Sequence, residues 1–147
     1  MKQSSLDALI AFYESLRPDS VAHFADYYAE DAFFKDPFNE VRGLAPIQRI
    51  FTHMFLQVSE PRFAISERIV DENGALLVWE FYFHLRLWGR DKAQVIRGVS
   101  HLKFNAEGKV NWHRDYWDAA EELYTKLPGI GWLMRRLKNA MTRESTR

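Results

Sequence analysis

Asp36 stands in the run FFKDPFNEVRG (residues 33–43), where two phenylalanines lead into a charge, an Asp-Pro pair and a short polar loop ending at Gly43. A carboxylate in that setting has two uses. It can be aimed at a ligand, or it can cap the loop by accepting backbone N–H groups ahead of Gly43. His113 and Asp115, in WHRDYWD, form a second candidate. Alternation along a strand puts His113, Asp115 and Trp117 on one face. An imidazole beside a carboxylate makes a proton relay near neutral pH. The same pair also fits a solvated sheet face or a dimer-interface network. His84 and His101 fall on other predicted strands, without clustered ligand spacing, so neither a metal nor a cofactor is expected. The chain has no cysteine, which removes thiolate catalysis and cysteine–zinc sites.

The elements that must position these groups follow from periodicity. Leu6, Leu9, Ile10, Tyr13 and Leu16 recur at helical spacing, and Pro18 closes that helix. Asp19 or Ser20 can cap a second helix through Val21, Phe24, Ala25 and Tyr28. Residues 32–36 read as a short strand. After Gly43, the positions Leu44, Ile47, Ile50, Phe51, Met54, Phe55 and Val58 give an amphipathic helix, ended by the Pro61 region. The period then becomes two. Phe63, Ile65, Ile69 and Val70 make a strand that turns at Asp71-Glu72-Asn73-Gly74. Leu77, Trp79, Phe81, Phe83, Leu85 and Leu87 alternate with a mostly polar set, so one face of this strand packs on something. A turn at Gly89-Arg90-Asp91 precedes strands over 94–104 and 109–117, joined at Asn105-Ala106-Glu107-Gly108. A short helix spans Ala119–Lys126, Pro128-Gly129 breaks it, and a basic amphipathic helix follows. The expected fold class is α+β: a curved antiparallel sheet wrapping N-terminal helices, with a C-terminal helical tail. Such a cone holds small ligands.

Length gives one domain of 147 residues, large enough to bury its own core. The expected division is a domain over residues 1–127 and a tail over 128–147. Basic and acidic residues balance at 20 each, so nucleic acid is not an expected partner. Residues 126–147, however, hold six basic residues against one acid. The tail can lid the pocket, lie weakly on an anionic membrane surface, or form a helix with a solvated basic face. No stretch reaches the ~20 apolar residues of a membrane span. The N-terminus lacks a signal-peptide core, and the absence of cysteine suits a reducing compartment, so a cytoplasmic protein is expected.

The run YYAEDAFFKDPFNEVRGLAPIQRIF resembles the second-to-third-helix segment of the NTF2-like superfamily, especially ketosteroid isomerase and the SnoaL-like polyketide cyclases. SHLKFNAEGKVNWHRDYWD is similar to the superfamily's last hairpin. The resemblance covers about residues 5–120 and implies the NTF2-like cone. It puts Asp36 at the position of the isomerase general base, which takes a proton from carbon beside a carbonyl. The isomerase's two oxyanion donors fall at Phe12 and Ser100, so both acidic donors are missing and steroid isomerisation is not expected. Tyr13, one residue from Phe12, is expected to point elsewhere on its helix. The SnoaL-like cyclases imply an acid/base role for Asp115, with a histidine near it. Relatives of limonene-epoxide hydrolase use an Asp-Arg-Asp set, of which only Arg97 and Asp115 have a counterpart here.

The hairpin register decides whether these residues share a cavity. A three-residue turn at Ala106–Gly108 pairs His101 with His113 and Val99 with Asp115, and sends Asp115 away from the apolar face. The resemblance instead puts Ser100, His113, Asp115 and Trp117 inside. Both hold only if a β-bulge shifts the register of one strand, and the inward placement is the one expected, because a polar group on an otherwise apolar pocket wall is how such sites are built. Two functions are then open: acid/base isomerase or cyclase chemistry on a small apolar carbonyl or hydroxy compound by Asp36, His113 and Asp115, or non-catalytic binding of an apolar ligand. Phe12, Trp79, Phe81, Phe83, Ser100 and Trp117 are the expected ligand contacts in either case. The open sheet face, with Tyr82, His84 and Trp88, is expected to form a homodimer.

Overall fold

The computed structural model describes residues 3–87, 90–124 and 129–144. Helix α1 (Gln3–Glu14) buries Leu6, Leu9 and Tyr13, as the spacing predicts, and Phe12 beside them. The predicted second helix is divided. Pro18 opens a 3-10 segment (Pro18–His23), and α2 (Phe24–Tyr27) is a single turn. Tyr28 begins strand β1 (Tyr28–Lys35) rather than ending a helix, so β1 starts four residues before the strand expected at 32. A three-residue strand β2 (Glu40–Arg42) follows, then α3 (Leu44–Gln57), with Pro46 tolerated in its first turn.

Strand β3 (Val58–Asp71) runs through Pro61 instead of starting beyond it. Its register shifts between Ser59 and Arg62, where Glu60 adopts a φ of 51°. The local bulge absorbs the proline, which cannot donate to the ladder. Strands β4 (Gly74–Leu87), β5 (Arg90–Phe104) and β6 (Val110–Tyr116) complete one six-stranded sheet in the order β2-β1-β6-β5-β4-β3. Arg90 and Asp91 are paired with Leu87 and Arg86, so they extend β5 rather than forming the expected turn; Gly89 lies outside the described residues. Among the described strands, β1 and β6 form the one parallel pair.

Two apolar clusters hold this layer together. The larger joins Leu6, Leu9, Phe12 and Tyr13 of α1 to Phe24, Tyr28, Phe34, Phe51, Leu77, Leu102 and Val110. The smaller groups Val58, Trp79, Phe81, Phe83 and Ile96. Each such side chain contributes roughly 1.5–3 kcal/mol on full burial, and the two clusters fix α1 and α3 against the concave side of the sheet. Phe12 packs edge-on to Phe24 and stacked on Tyr27 within the larger cluster. On the convex side Arg62 lies over Tyr82 at 4.4 Å, and Lys103 over Trp112 at 5.4 Å. Tyr82 and His84 are on that side as expected; Trp88 is outside the described residues.

The helix expected over Ala119–Lys126 is the shorter α4 (Ala119–Glu122), capped by Asp118, which accepts the Glu121 N–H at 3.0 Å. The expected domain boundary at 127/128 lies outside the described residues. Helix α5 (Ile130–Glu144) contributes no residue to either cluster. Among the described residues no helix is long and apolar enough to cross a membrane.

Candidate active site

The last hairpin places the chemistry. Asn105 organises its turn, with its side-chain oxygen accepting the N–H groups of Glu107 and Lys109. Gly108 takes the left-handed position with a φ of 80°. Beyond the turn the register shifts: Phe104 faces Val110, but Lys103 faces Trp112, which leaves Asn111 as the extra residue of a bulge. Upstream of the bulge the inward phase falls on Val110; downstream it falls on His113 and Asp115. His113 therefore pairs with Leu102, and Asp115 with Ser100. The pairing expected from a plain three-residue turn, His101 with His113 and Val99 with Asp115, is displaced by that one residue. Ser100, not His101, is on the concave side, where it is 4% exposed.

A chain of hydrogen bonds runs from β4 through the site into the core. The Trp79 indole N–H donates to Ser100 Oγ at 2.8 Å. Indole nitrogen can only donate, so the serine hydroxyl is free to donate onward. Its acceptor is Asp115 Oδ1, at 2.5 Å. The same oxygen is 2.6 Å from His113 Nε2. On the other side of the ring, Tyr28 Oη lies 2.7 Å from His113 Nδ1 and Tyr13 Oη 3.4 Å away. The two phenols are bonded to each other. Burial, first among the causes, pushes both tyrosines above the ordinary phenol range, so they keep their protons. Tyr13 donating to Tyr28, and Tyr28 to Nδ1, leaves Nε2 carrying the hydrogen that faces Asp115.

Tyr13 and Tyr28 are the site residues that sequence reasoning missed. Tyr13 does not point elsewhere: it turns towards the sheet, and Phe12, about 100° round the helix, turns towards Tyr27. The expected ligand contact at Phe12 is therefore a core contact, because α1 seats that face on the segment that follows it. Ser100 and His113 likewise stand behind Asp115 rather than on the cavity wall. A buried tyrosine needs a partner for its hydroxyl, and that need was the available signal.

Asp115 opens onto a cavity of about 830 Å³ between α3 and the concave sheet. Trp79, Phe81, Phe83, Ile96 and Trp117 form its sheet wall; Ile50, Phe51 and Met54 form its helix wall. Asp36 lines the same cavity. Its Oδ1, however, accepts the N–H groups of Phe38 and Asn39 at 2.8 and 2.6 Å, and the Asn39 side-chain amide spans both oxygens at 3.1 Å. The resulting turn carries Phe38 to the mouth, edge-on to Trp117 at 5.5 Å. Asp115 differs: its side chain is 16% exposed, and among the described residues nothing bonds to Oδ2. Arg49, His53 and Gln57, one helical turn apart along α3, add polar groups to the cavity lining. Arg97, the possible second member of an epoxide-hydrolase-like set, faces Glu80 and Glu122 rather than Asp115. Among the described residues no cluster of acidic and histidine side chains could hold a metal ion.

Helices seated in a curved sheet, with an apolar cavity lined by two carboxylates of which Asp36 is taken up by its own turn, define an NTF2-like cone. The profile of the SnoaL-like domain matches residues 9–113, and the chain belongs to that family. Comparison with curated proteins gave no match. Solved structures match closely in fold. One is an NTF2-like protein of unknown function from Burkholderia pseudomallei, 15% identical, with a TM-score of 0.70 over 82% of this chain and 95% of that one. Another, assigned as a SnoaL-like polyketide cyclase from Shewanella denitrificans, is 16% identical, with a TM-score of 0.70 over 85% of this chain and all of that one. A third, assigned as a hydroxylase from Streptomyces galilaeus, is 15% identical, with a TM-score of 0.67 over 99% of this chain and 96% of that one. At these identities the likeness is one of fold.

Proposed function

We propose that this chain is an acid/base catalyst acting on a small apolar carbonyl or hydroxy compound, with Asp115 as the proton acceptor. The observation that carries this reading is the asymmetry of the Asp115 carboxylate. Oδ1 is held by Ser100 and His113, nothing among the described residues bonds to Oδ2, and Asp115 lines an apolar cavity. A base so fixed pays little reorganisation when it meets a C–H or O–H of a bound molecule. His113 and the two tyrosines are positioning residues: they set the imidazole tautomer and hold the carboxylate's orientation. Asp36 is a turn residue in this reading, since its lone pairs are already met by backbone and amide donors.

A second reading is non-catalytic binding of an apolar ligand, and one feature favours it. The Ser100 hydroxyl is directed at Asp115, and Phe12 is in the core, so neither supplies the oxyanion donor that makes enolate chemistry fast. The test uses exchange rather than a natural substrate. Deuterium incorporation next to the carbonyl of 1-tetralone in D2O, followed by proton NMR, reads proton abstraction directly. The wild type is expected to accelerate exchange, and Asp115→Asn to lose about 10²–10⁴-fold. Asp36→Asn, whose amide oxygen can still accept the turn's N–H groups, is expected to retain most of the rate. Binding of the ketone without accelerated exchange in the wild type would leave the binding reading in place.

A further inference from the structure

Helix α5 carries a pattern that the cavity does not use. Ile130, Leu133, Leu137 and Met141 fall on one stripe at helical spacing, and each is between 52% and 73% exposed. A stripe of large apolar side chains on a helix that joins neither core cluster is a surface made to meet something. At 100° per residue, Arg136 and Lys138 flank the stripe on opposite sides, and Arg135 lies on the far face. Trp132 stands off the stripe, under the Arg136 guanidinium at 5.0 Å.

We propose that α5 docks on an anionic lipid bilayer, lying in the plane of the interface with the Ile130–Met141 stripe among the acyl chains. Charge selects this occupant. The helix carries Arg135, Arg136, Lys138 and Arg143 against Glu144 alone. The chain as a whole is neutral, so the remainder has an excess of acids. A negative surface therefore attracts α5 and holds off the body. Long basic side chains beside an apolar stripe keep their heads at phosphate level while their stems add to the buried area. The inference does not depend on the function proposed for Asp115.

The full-length protein is sedimented with sucrose-loaded vesicles of phosphatidylcholine alone and of phosphatidylcholine with phosphatidylglycerol. Binding is expected to the mixed vesicles and to weaken at high salt. A basic residue near such a surface gives roughly a five-fold gain in partition. Replacing Arg136 and Lys138 together by Gln should thus lower it by about 25-fold. Leu133→Ser with Leu137→Ser should abolish it with an unchanged melting temperature, because both positions are exposed. Three results would overturn the proposal: no sedimentation with mixed vesicles, equal sedimentation with neutral ones, or a concentration-dependent oligomer that the two serines convert to monomer. The last would mean that a second copy of the chain covers the stripe.

Discussion

The oxygens of Asp115 have different surroundings, and the difference originates behind the carboxylate. Tyr28 gives His113 a donor at Nδ1, so the ring presents Nε2–H to Oδ1. If the two buried phenols hold this arrangement, alkaline pH should reveal them. In the unfolded chain a tyrosine ionises near 10. In the fold, burial raises Tyr13 and Tyr28 above that value. Below about pH 10 both states hold the protons and the pair contributes no pH dependence. Above it the unfolded state releases them first, so stability falls by about 1.4 kcal/mol per pH unit for each tyrosine. Urea unfolding between pH 9 and 11 should show this slope in the wild type. The Tyr13→Phe/Tyr28→Phe variant, though less stable at every pH, should lack it; equal slopes would mean the phenols are not held neutral. Of this network, the sequence made His113 and Asp115 legible by alternation. It did not reveal Tyr28, because that residue reads as the end of a helix and its partner is 85 positions away.

The strands were legible as strands, but the register was not, since an inserted residue leaves no compositional mark. Plain alternation from the Asn105–Gly108 turn puts Asp115 on the wet side, and only the bulge at Asn111 reverses it. Strand β5 contributes a second device. A Cβ on Gly98 would stand 2.5 Å from two ring carbons of Trp79, so the absence of a side chain there lets the indole lie across β5 and reach Ser100. Two effects oppose each other in Gly98→Ala. Reduced freedom of the unfolded chain stabilises by about 0.4–1 kcal/mol, whereas overpacking a filled site costs about 1–3 kcal/mol. Overpacking should win, because the Trp79 indole can retreat only by giving up its bond to Ser100, and the added Cβ would also stand 3.1 Å from Trp117 Cβ. The variant is expected to unfold at lower denaturant and to show an altered near-UV circular dichroism spectrum. A gain in stability would mean that the indole does not cross the strand.

At the scale of the whole molecule, the cavity lies between α3 and one part of the sheet. The sheet-wall cluster of Val58, Trp79, Phe81, Phe83 and Ile96 meets α3 mainly through Met54, while Ile50 and Phe51 line the space opposite. An apolar molecule in a cavity of about 830 Å³ would touch both walls and couple the helix to the sheet. Ligand binding adds to global stability by mass action, about 2.7 kcal/mol at a hundred times Kd. For a domain of this size that is roughly a 5–10 °C rise in Tm. Differential scanning fluorimetry with a series of fused-ring ketones and alcohols should therefore give concentration-dependent shifts. The shifts should grow with apolar size until the cavity is filled and fall when a charge is placed at the buried end. Asp115→Asn should keep the shift while losing the exchange reaction, because the walls supply the affinity and the carboxylate supplies the proton transfer. Loss of both together would place Asp115 in binding alone. Phe81→Asp, which puts a charge on the apolar wall, should abolish the shift, and its own lower Tm in the absence of ligand separates weaker folding from lost binding.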